Sequence, residues 1–115
     1  MVPPASDPPP AIDADAMAEA AAAAVEVLKV LSNPARLLLL CELLGGERSV
    51  SELEAALGAS QSYVSGQLAR MRAEGLVATT RDGRVIRYRL DDPRLEPILT
   101  VLYDTFCAPD APGRG

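Results

Sequence analysis

The chain has 115 residues, enough for one domain, and its 11 Lys and Arg against 16 Asp and Glu give a net charge of −5. Aromatic residues make up only 3% of the sequence and histidine is absent, which argues against base-stacking platforms and excludes triads that need imidazole and most zinc sites. Two cysteines and the lack of a long apolar segment indicate a soluble protein of the reducing cytoplasm, without membrane association.

Both ends of the chain are rich in proline, glycine and charge. Residues 1–10 and 109–115 are therefore predicted to be disordered tails around a folded domain spanning 11–108. The first helix is predicted from about Ile12 to Leu31. Its apolar face holds Met17, Ala20, Ala21, Ala24, Leu28 and Leu31. The alanines fit either a helix that pairs closely with a partner or simply the best helix-forming residue, and both interpretations remain open.

The second predicted helix is nearly all apolar and is expected at the centre of the core. Asn33 precedes it as a cap, and Pro34 occupies the first helical position, where a missing N–H costs nothing. The run ARLLLLCELL then continues to Gly45, which ends the helix.

Two shorter helices follow in the arrangement of a helix-turn-helix. Ser49 and Glu52 have the spacing of a capping box and open a two-turn helix that ends at Gly58. Ser60 is placed to cap the next helix, Gln61–Glu74. Apolar residues on both helices predict that they cross at a tight turn.

The rest of the chain predicts a hairpin and a last helix. Two strands, Leu76–Arg81 and Arg84–Leu90, flank Asp82 and Gly83, a pair favoured in type I′ turns. A final helix runs from about Pro93 to Phe106. Its apolar face holds Leu95, Ile98, Leu99, Leu102 and Phe106. The predicted fold is mainly α with a two-stranded β-wing, a winged helix-turn-helix with five helices in the order α-α-α-α-β-β-α.

Residues 25–90 closely resemble the arsenic-repressor (ArsR-type) family of dimeric bacterial transcriptional regulators. The motifs that carry the resemblance are LSNPARLLLL, the Gln-Ser-x-x-Ser face of the fourth helix, RAEGLV, and a basic strand ending in Tyr-Arg-Leu. The resemblance implies a homodimeric repressor of double-stranded operator DNA, with dimer contacts from the first and last helices. Its two recognition helices would lie one DNA turn apart, roughly 34 Å.

The charge distribution supports DNA binding independently of the resemblance. Residues 60–90 hold six arginines and two acidic residues, a net charge of +4, whereas the segments on either side are acidic. A local cationic patch is what phosphate contact requires. The alternative is that Arg87 and Arg89, which share one side of a strand, only form a solvated face.

The start of the fourth helix is expected to present hydrogen-bonding groups to base edges, and the wing to reach phosphate or the minor groove. The predicted DNA contacts are Gln61, Ser62, Tyr63, Ser65, Gln67, Arg70, Arg81, Arg84 and Arg87. Many family members carry histidine near Gly66 and Gln67, so base preference does not transfer. Glycine in mid-helix costs about 1 kcal/mol relative to alanine, which predicts a close neighbour at Gly66: another helix, which we favour, or DNA.

The family's usual metal sites are missing from this sequence. VSELEAAL lacks the Cys-x-Cys pair found there in relatives, and DPRLEPILTVLYDTF lacks histidine, so metal sensing is disfavoured and no cofactor is expected. One cysteine on the second helix and one at the end of the last resemble the persulfide-sensing (SqrR/BigR-type) branch. That resemblance implies that a di- or polysulfide bridge between Cys41 and Cys107, formed with a small reactive sulfur inducer, releases the repressor from DNA. The residues alone also allow Cys41 to be an inert buried thiol.

Three other functions compete with this interpretation. A repressor that senses a general oxidant through an ordinary disulfide differs only in its inducer. A winged helix used for protein association lacks salt-dependent DNA binding. A thiol enzyme is disfavoured because no base is evident beside either cysteine.

Overall fold

The structure, a computed structural model, describes residues 11–107. Both predicted tails, 1–10 and 109–115, lie outside the described residues. Five helices and three strands follow one another as α1 Ala14–Leu31, α2 Pro34–Leu44, β1 Arg48–Ser49, α3 Val50–Leu57, α4 Gln61–Ala73, β2 Val77–Asp82, β3 Val85–Leu90 and α5 Leu95–Phe106. This order confirms the winged helix-turn-helix.

Side-chain caps set the beginnings of the first helices. Asp13 accepts hydrogen bonds from the amides of residues 15 and 16, so α1 begins two residues later than predicted. The Asn33 side chain likewise accepts from the amides of Ala35 and Arg36 at the start of α2. These bonds satisfy amides that have no partner within the helix.

The predicted capping box of α3 is confirmed. The Ser49 hydroxyl accepts from the Glu52 amide at 3.2 Å, and the Glu52 carboxylate accepts from the Ser49 amide at 2.9 Å. Gly58 ends the helix with φ of 62°, a left-handed conformation that favours glycine. Ser60 then caps α4 by accepting from the Tyr63 amide.

The wing is a three-stranded antiparallel sheet with strand order β1-β3-β2. The β2–β3 hairpin forms as predicted, but its turn is Gly83–Arg84 and not Asp82–Gly83, because Asp82 belongs to β2 and pairs with Val85. The predicted type I′ turn is wrong, since it needs a positive φ at both central residues and only Gly83 has one, at 64°. Strand β1 was not predicted, because two residues show no periodicity; Arg48 pairs with Tyr88 on β3. The sheet therefore ties the wing to the residue that caps α3.

The last helix begins at Leu95, two residues later than predicted. Before it, the Asp92 carboxylate accepts hydrogen bonds from both the backbone and the guanidinium of Arg94. An Asx turn of this kind occupies the backbone locally and postpones the helix.

The core is built from apolar residues of all five helices and the start of β2. Its fully buried members are Leu39, Leu40, Leu53, Val64, Leu68, Met71, Leu95 and Leu99, with Val77 nearly so. The predicted central position of α2 is confirmed by Leu39 and Leu40, which have no exposed surface. Helix α3 packs against α2, and α4 packs against α3 and β2, which fixes the angle at which α4 faces outward.

The predicted apolar face of α1 is only partly buried. Val27 and Leu31 enter the core, whereas Met17 is 51% and Leu28 is 58% exposed. On α5, Phe106 was placed on the apolar face but is 56% exposed. The described residues thus leave apolar surface on both terminal helices. Within residues 11–107, no helix has the length and apolar character to cross a membrane.

Candidate functional site

The exposed start of α4 holds most of the predicted base-contacting residues. Gln61, Ser62 and Tyr63 are exposed and Ser65 is half-buried. The Gln61 amide donates a hydrogen bond to the Ser65 hydroxyl one turn later, at 3.0 Å, so the two side chains lie together. This end of the helix offers several donors and acceptors to the outside.

Gln67 is placed differently from these residues. It is half-buried, and its side-chain oxygen is buried without a hydrogen-bond partner among the described residues. Arg70, by contrast, is exposed near the other end of α4. Of the α4 residues predicted to touch DNA, Gln67 is the one turned toward the protein.

Gly66 lies on the exposed surface of α4, and its environment corrects a prediction. A Cβ added at this position would meet nothing within 4 Å. The expected neighbouring helix is therefore wrong for the described part of the chain, because Gly66 faces away from Val64 and Leu68, which point into the core. Packing within residues 11–107 does not offset the loss of helix stability that this glycine causes.

Three wing arginines differ in whether their guanidinium groups are ion-paired. Arg81, near the end of β2, and Arg84, in the turn, are exposed and have no ion-pair partner within the described range. Arg87 is half-buried and contacts the Glu52 carboxylate at 3.1 Å and Asp82 at 3.9 Å. The tip of the wing is thus its most available cationic part.

Glu52 joins the wing to the helix-turn-helix, a role that the sequence did not reveal. Its carboxylate pairs with Arg87, 35 residues away, while it caps α3. Hydrogen bonds from the backbone and side chain of Ser49, followed by Arg87 and Arg48, lower the pKa of Glu52. The capping motif was visible in the sequence, but the partner on β3 follows from the sheet register.

The two cysteines line one pocket between α2 and α5. Cys41 is half-buried on α2, and Cys107 is exposed directly after α5, where its amide bonds to the Tyr103 carbonyl. The pocket has a volume of about 400 Å³. Its other lining residues are Leu37, Leu38, Glu42, Leu102, Tyr103 and Phe106.

The environment of Cys41 favours the protonated thiol. Burial contributes most to raising its pKa, and the nearby Cys107 and Glu42 raise it further. Both cysteines are free. Sequence reasoning identified the thiols but missed Glu42 and Tyr103, because helices that meet in space carry no common signal along the chain. Among residues 11–107, no group of three or more His, Cys, Asp and Glu is arranged to hold a metal ion.

A winged helix-turn-helix with a cationic wing and a polar fourth helix has the architecture of a DNA-binding protein. Residues 33–79 match the arsR family of bacterial regulatory proteins. The biofilm growth-associated repressor of Agrobacterium fabrum is 43% identical over 95 residues, which span 83% of this chain and 81% of that protein.

Two solved structures are also similar. The transcriptional repressor BigR from Xylella fastidiosa has 39% sequence identity and a TM-score of 0.77, covering 84% of this chain and 99% of that one. Reduced HlyU from Vibrio cholerae has 36% identity and a TM-score of 0.75, covering 82% and 99%. The chain belongs to the arsR family and is a DNA-binding transcriptional regulator.

Proposed function

We propose that this protein is a homodimeric repressor of the cytoplasm, controlled by its two thiols. The reduced dimer occupies operator DNA, and persulfide or polysulfide species release it by bridging Cys41 and Cys107. The observation that carries the proposal is that both thiols line one pocket, although α2 and α5 are far apart in the sequence. The similarity to BigR and the biofilm growth-associated repressor supports repression.

Double-stranded DNA is bound by α4 and the wing. The exposed donors and acceptors near the start of α4 suit base edges in the major groove, and the free guanidinium groups of Arg81 and Arg84 suit phosphate or the minor groove. The same proposal includes the remaining contacts, Gln61, Ser62, Tyr63, Ser65, Gln67, Arg70 and Arg87. The side-chain oxygen of Gln67 is buried and the guanidinium of Arg87 is ion-paired with Glu52, so these two residues contribute by holding the surface in shape.

A second copy of the chain covers the apolar surface that α1 and α5 share, away from the thiol pocket. An apolar cleft between these helices is lined by residues including Ala24, Leu28 and Ile98, and Val101 lies exposed one turn further along α5. Alanines allow two helix backbones to approach closely, which favours the dimer interpretation left open by the sequence. Two-fold symmetry then presents two copies of α4 to successive major grooves.

The bridge forms by transfer of sulfane sulfur. The exposed Cys107 thiolate attacks the outer sulfur of a persulfide R–S–SH, the RS–S bond breaks, and the leaving thiolate takes a proton as RSH. Cys41 then attacks the Cys107 sulfur, and sulfide leaves as the disulfide forms. Two thiol sulfurs are oxidised and one sulfane sulfur is reduced. If both cysteines are first persulfidated, the same displacement gives a trisulfide and one sulfide.

Bridging changes DNA binding because α5 contributes both to the thiol pocket and to the surface that faces the partner copy. A covalent link draws the end of α5 toward α2 and changes the α5 surface that faces the partner copy. Small helix shifts at a subunit interface are a common means of changing the spacing of binding elements. The two copies of α4 then no longer match one DNA turn.

The test is mass spectrometry of the reduced protein after treatment with an organic persulfide. We expect an intramolecular link between the peptides that hold Cys41 and Cys107, one or more sulfur atoms long. Cys41→Ser and Cys107→Ser variants are expected to bind DNA normally and to lose the response. Absence of any link, with unchanged DNA binding after treatment, contradicts the proposal.

An ordinary disulfide formed by a general oxidant is the second candidate. Two free thiols on one pocket favour it equally, because a disulfide needs only their proximity. Treatment of parallel samples with peroxide, a small disulfide and a persulfide separates the two. A response to all three at similar rates assigns the general oxidant, and a response to persulfide alone assigns the sulfur inducer.

A further inference from the structure

The pocket shared by the two thiols has mainly apolar walls. Leu37 and Leu38 face it from α2, and Leu102 and Phe106 face it from α5. Leu38 and Phe106 keep more than half of their surface exposed, so the apolar lining is reachable from solvent. A volume of about 400 Å³ lies within the range of small-molecule pockets, roughly 300–1,000 Å³. An aryl or short alkyl group therefore has both space and apolar contacts beside the thiols.

The charge at this pocket is negative. Glu42 is its one acidic lining residue, and no Lys or Arg of the described chain lines it. Neither α2 nor α5 carries a basic residue in its last turn, and Asp104 adds a further acidic group next to Tyr103. A ligand that carries its own carboxylate is repelled here and finds no cation to pair with.

We propose that this pocket selects the carrier of the inducing sulfur: an organic hydropersulfide whose organic group is apolar and uncharged. The proposal rests on the proposed function and specifies its substrate class. The organic group packs against Leu102 and Phe106, which holds the outer sulfur beside Cys107. Attack by Cys107 breaks the S–S bond of the carrier, transfers one sulfur atom, and releases the organic group as a neutral thiol, RSH. Carriers with anionic organic groups are discriminated against by Glu42.

The test compares two carriers that differ by one carboxylate group. Benzyl hydropersulfide and 4-carboxybenzyl hydropersulfide are similar in size, and both release a benzylic thiol. The rate of the Cys41–Cys107 link is followed by mass spectrometry of the full-length reduced dimer, under conditions in which the carrier is in excess. We expect the carboxylated carrier to react about tenfold more slowly at low ionic strength, with the gap narrowing as salt screens the charges.

A variant assigns the discrimination to Glu42. Glu42→Gln keeps the size of the side chain and is expected to bring the two rates closer together by raising that of the carboxylated carrier. Glu47→Gln removes the same charge from an exposed position outside the pocket and is the matched control, expected to leave the ratio unchanged.

The outcomes separate this proposal from the proposed function. Equal rates for both carriers in the unmodified protein overturn the proposed substrate class. The same result is expected if another part of the chain or a second copy fills the pocket. Formation of the link would still support the thiol switch. Failure of both carriers to produce any link overturns the thiol switch as well. Equal effects of Glu42→Gln and Glu47→Gln overturn the role of Glu42.

Discussion

Cys41 and Cys107 differ in exposure and in electrostatic surroundings although they share a pocket. Cys107 is exposed, whereas Cys41 is half-buried and has a raised pKa because of burial, Cys107 and Glu42. Thiol reactions proceed through the thiolate. The pair is therefore asymmetric, because the Cys107 sulfur is exposed to solvent and the Cys41 sulfur is partly buried.

This asymmetry predicts the order of alkylation. At pH 7.5, iodoacetamide is expected to modify Cys107 before Cys41, and the Cys41 rate should continue to rise as the pH passes its ordinary pKa of 9.0. The measurement is a mass-spectrometric time course on the folded protein, with a urea-unfolded sample as control. Equal rates for the two cysteines in the folded protein contradict the asymmetry.

Gly66 makes a second prediction at the scale of single residues. Gly66→Ala should increase the free energy of unfolding by about 1 kcal/mol, since alanine is the better helix former and a Cβ meets nothing within 4 Å. The same variant should bind DNA more weakly, because the proposed DNA contacts place this side of α4 in the groove. Urea denaturation and a binding titration measure the two effects. A less stable variant, or a stabilised one with unchanged DNA affinity, is inconsistent with this assignment.

At the scale of elements, the α3 capping box also anchors the wing through Glu52 and Arg87. Removing one cap hydroxyl typically costs about 1 kcal/mol, so Ser49→Ala is expected to lower the stability of α3 and to loosen β1. The wing thus depends on a residue of the helix-turn-helix for its orientation.

The lowered pKa of Glu52 predicts how stability depends on pH. Because the folded state holds this carboxylate below its ordinary pKa of 4.5, the stabilisation is complete above that value and is lost as the pH falls through the lowered pKa. Glu52→Gln retains a capping side chain but cannot titrate. Its unfolding free energy should fall less steeply than that of the unmodified protein below pH 4.5. The unfolding free energies of both proteins are measured by denaturation at a series of pH values. Equal slopes against pH would contradict this role of Glu52.

Elements governed by neighbouring residues were predictable from the sequence, and contacts between distant elements were not. The Asn33 cap and the Ser49–Glu52 box each depend on a few adjacent residues, and both form. The hairpin also forms, with its turn one residue later than predicted, at Gly83–Arg84. Strand β1 exists only because Arg48 meets Tyr88. Phe106 has apolar helical spacing but no core to enter within the described range, since spacing defines a face and does not say what covers it.

At the scale of the whole molecule, the exposed apolar surface of α1 predicts self-association. Leu28→Glu introduces charge on the face that also holds Ala24 and Val27 and should convert the proposed dimer to a monomer. Ala22→Glu is the matched control, because helical spacing places Ala22 on the opposite side of α1. Light scattering coupled to size-exclusion chromatography distinguishes the states. If the Leu28→Glu protein remains a dimer, the interface does not include this face of α1 and the prediction is wrong.

The net charge also has its meaning at this scale. The acidic average includes α1 and α5, whereas the free guanidinium groups are concentrated at the tip of the wing and near the end of α4. An acidic protein therefore carries a cationic surface on α4 and the wing, separate from the pocket that holds Glu42 and the two thiols. The proposed switch connects the two through α5, which contributes to the pocket and lines the apolar cleft beside α1.

The most direct test is the affinity of one protein sample for one DNA fragment in three successive states. The fragment is selected from a random library by the reduced protein, and binding is titrated before treatment, after bridging by persulfide, and after reduction with dithiothreitol. We expect the bridged protein to bind about tenfold or more weakly, within the usual range of allosteric coupling, and the original affinity to return on reduction. Equal affinity in the reduced and fully bridged states would contradict the thiol switch.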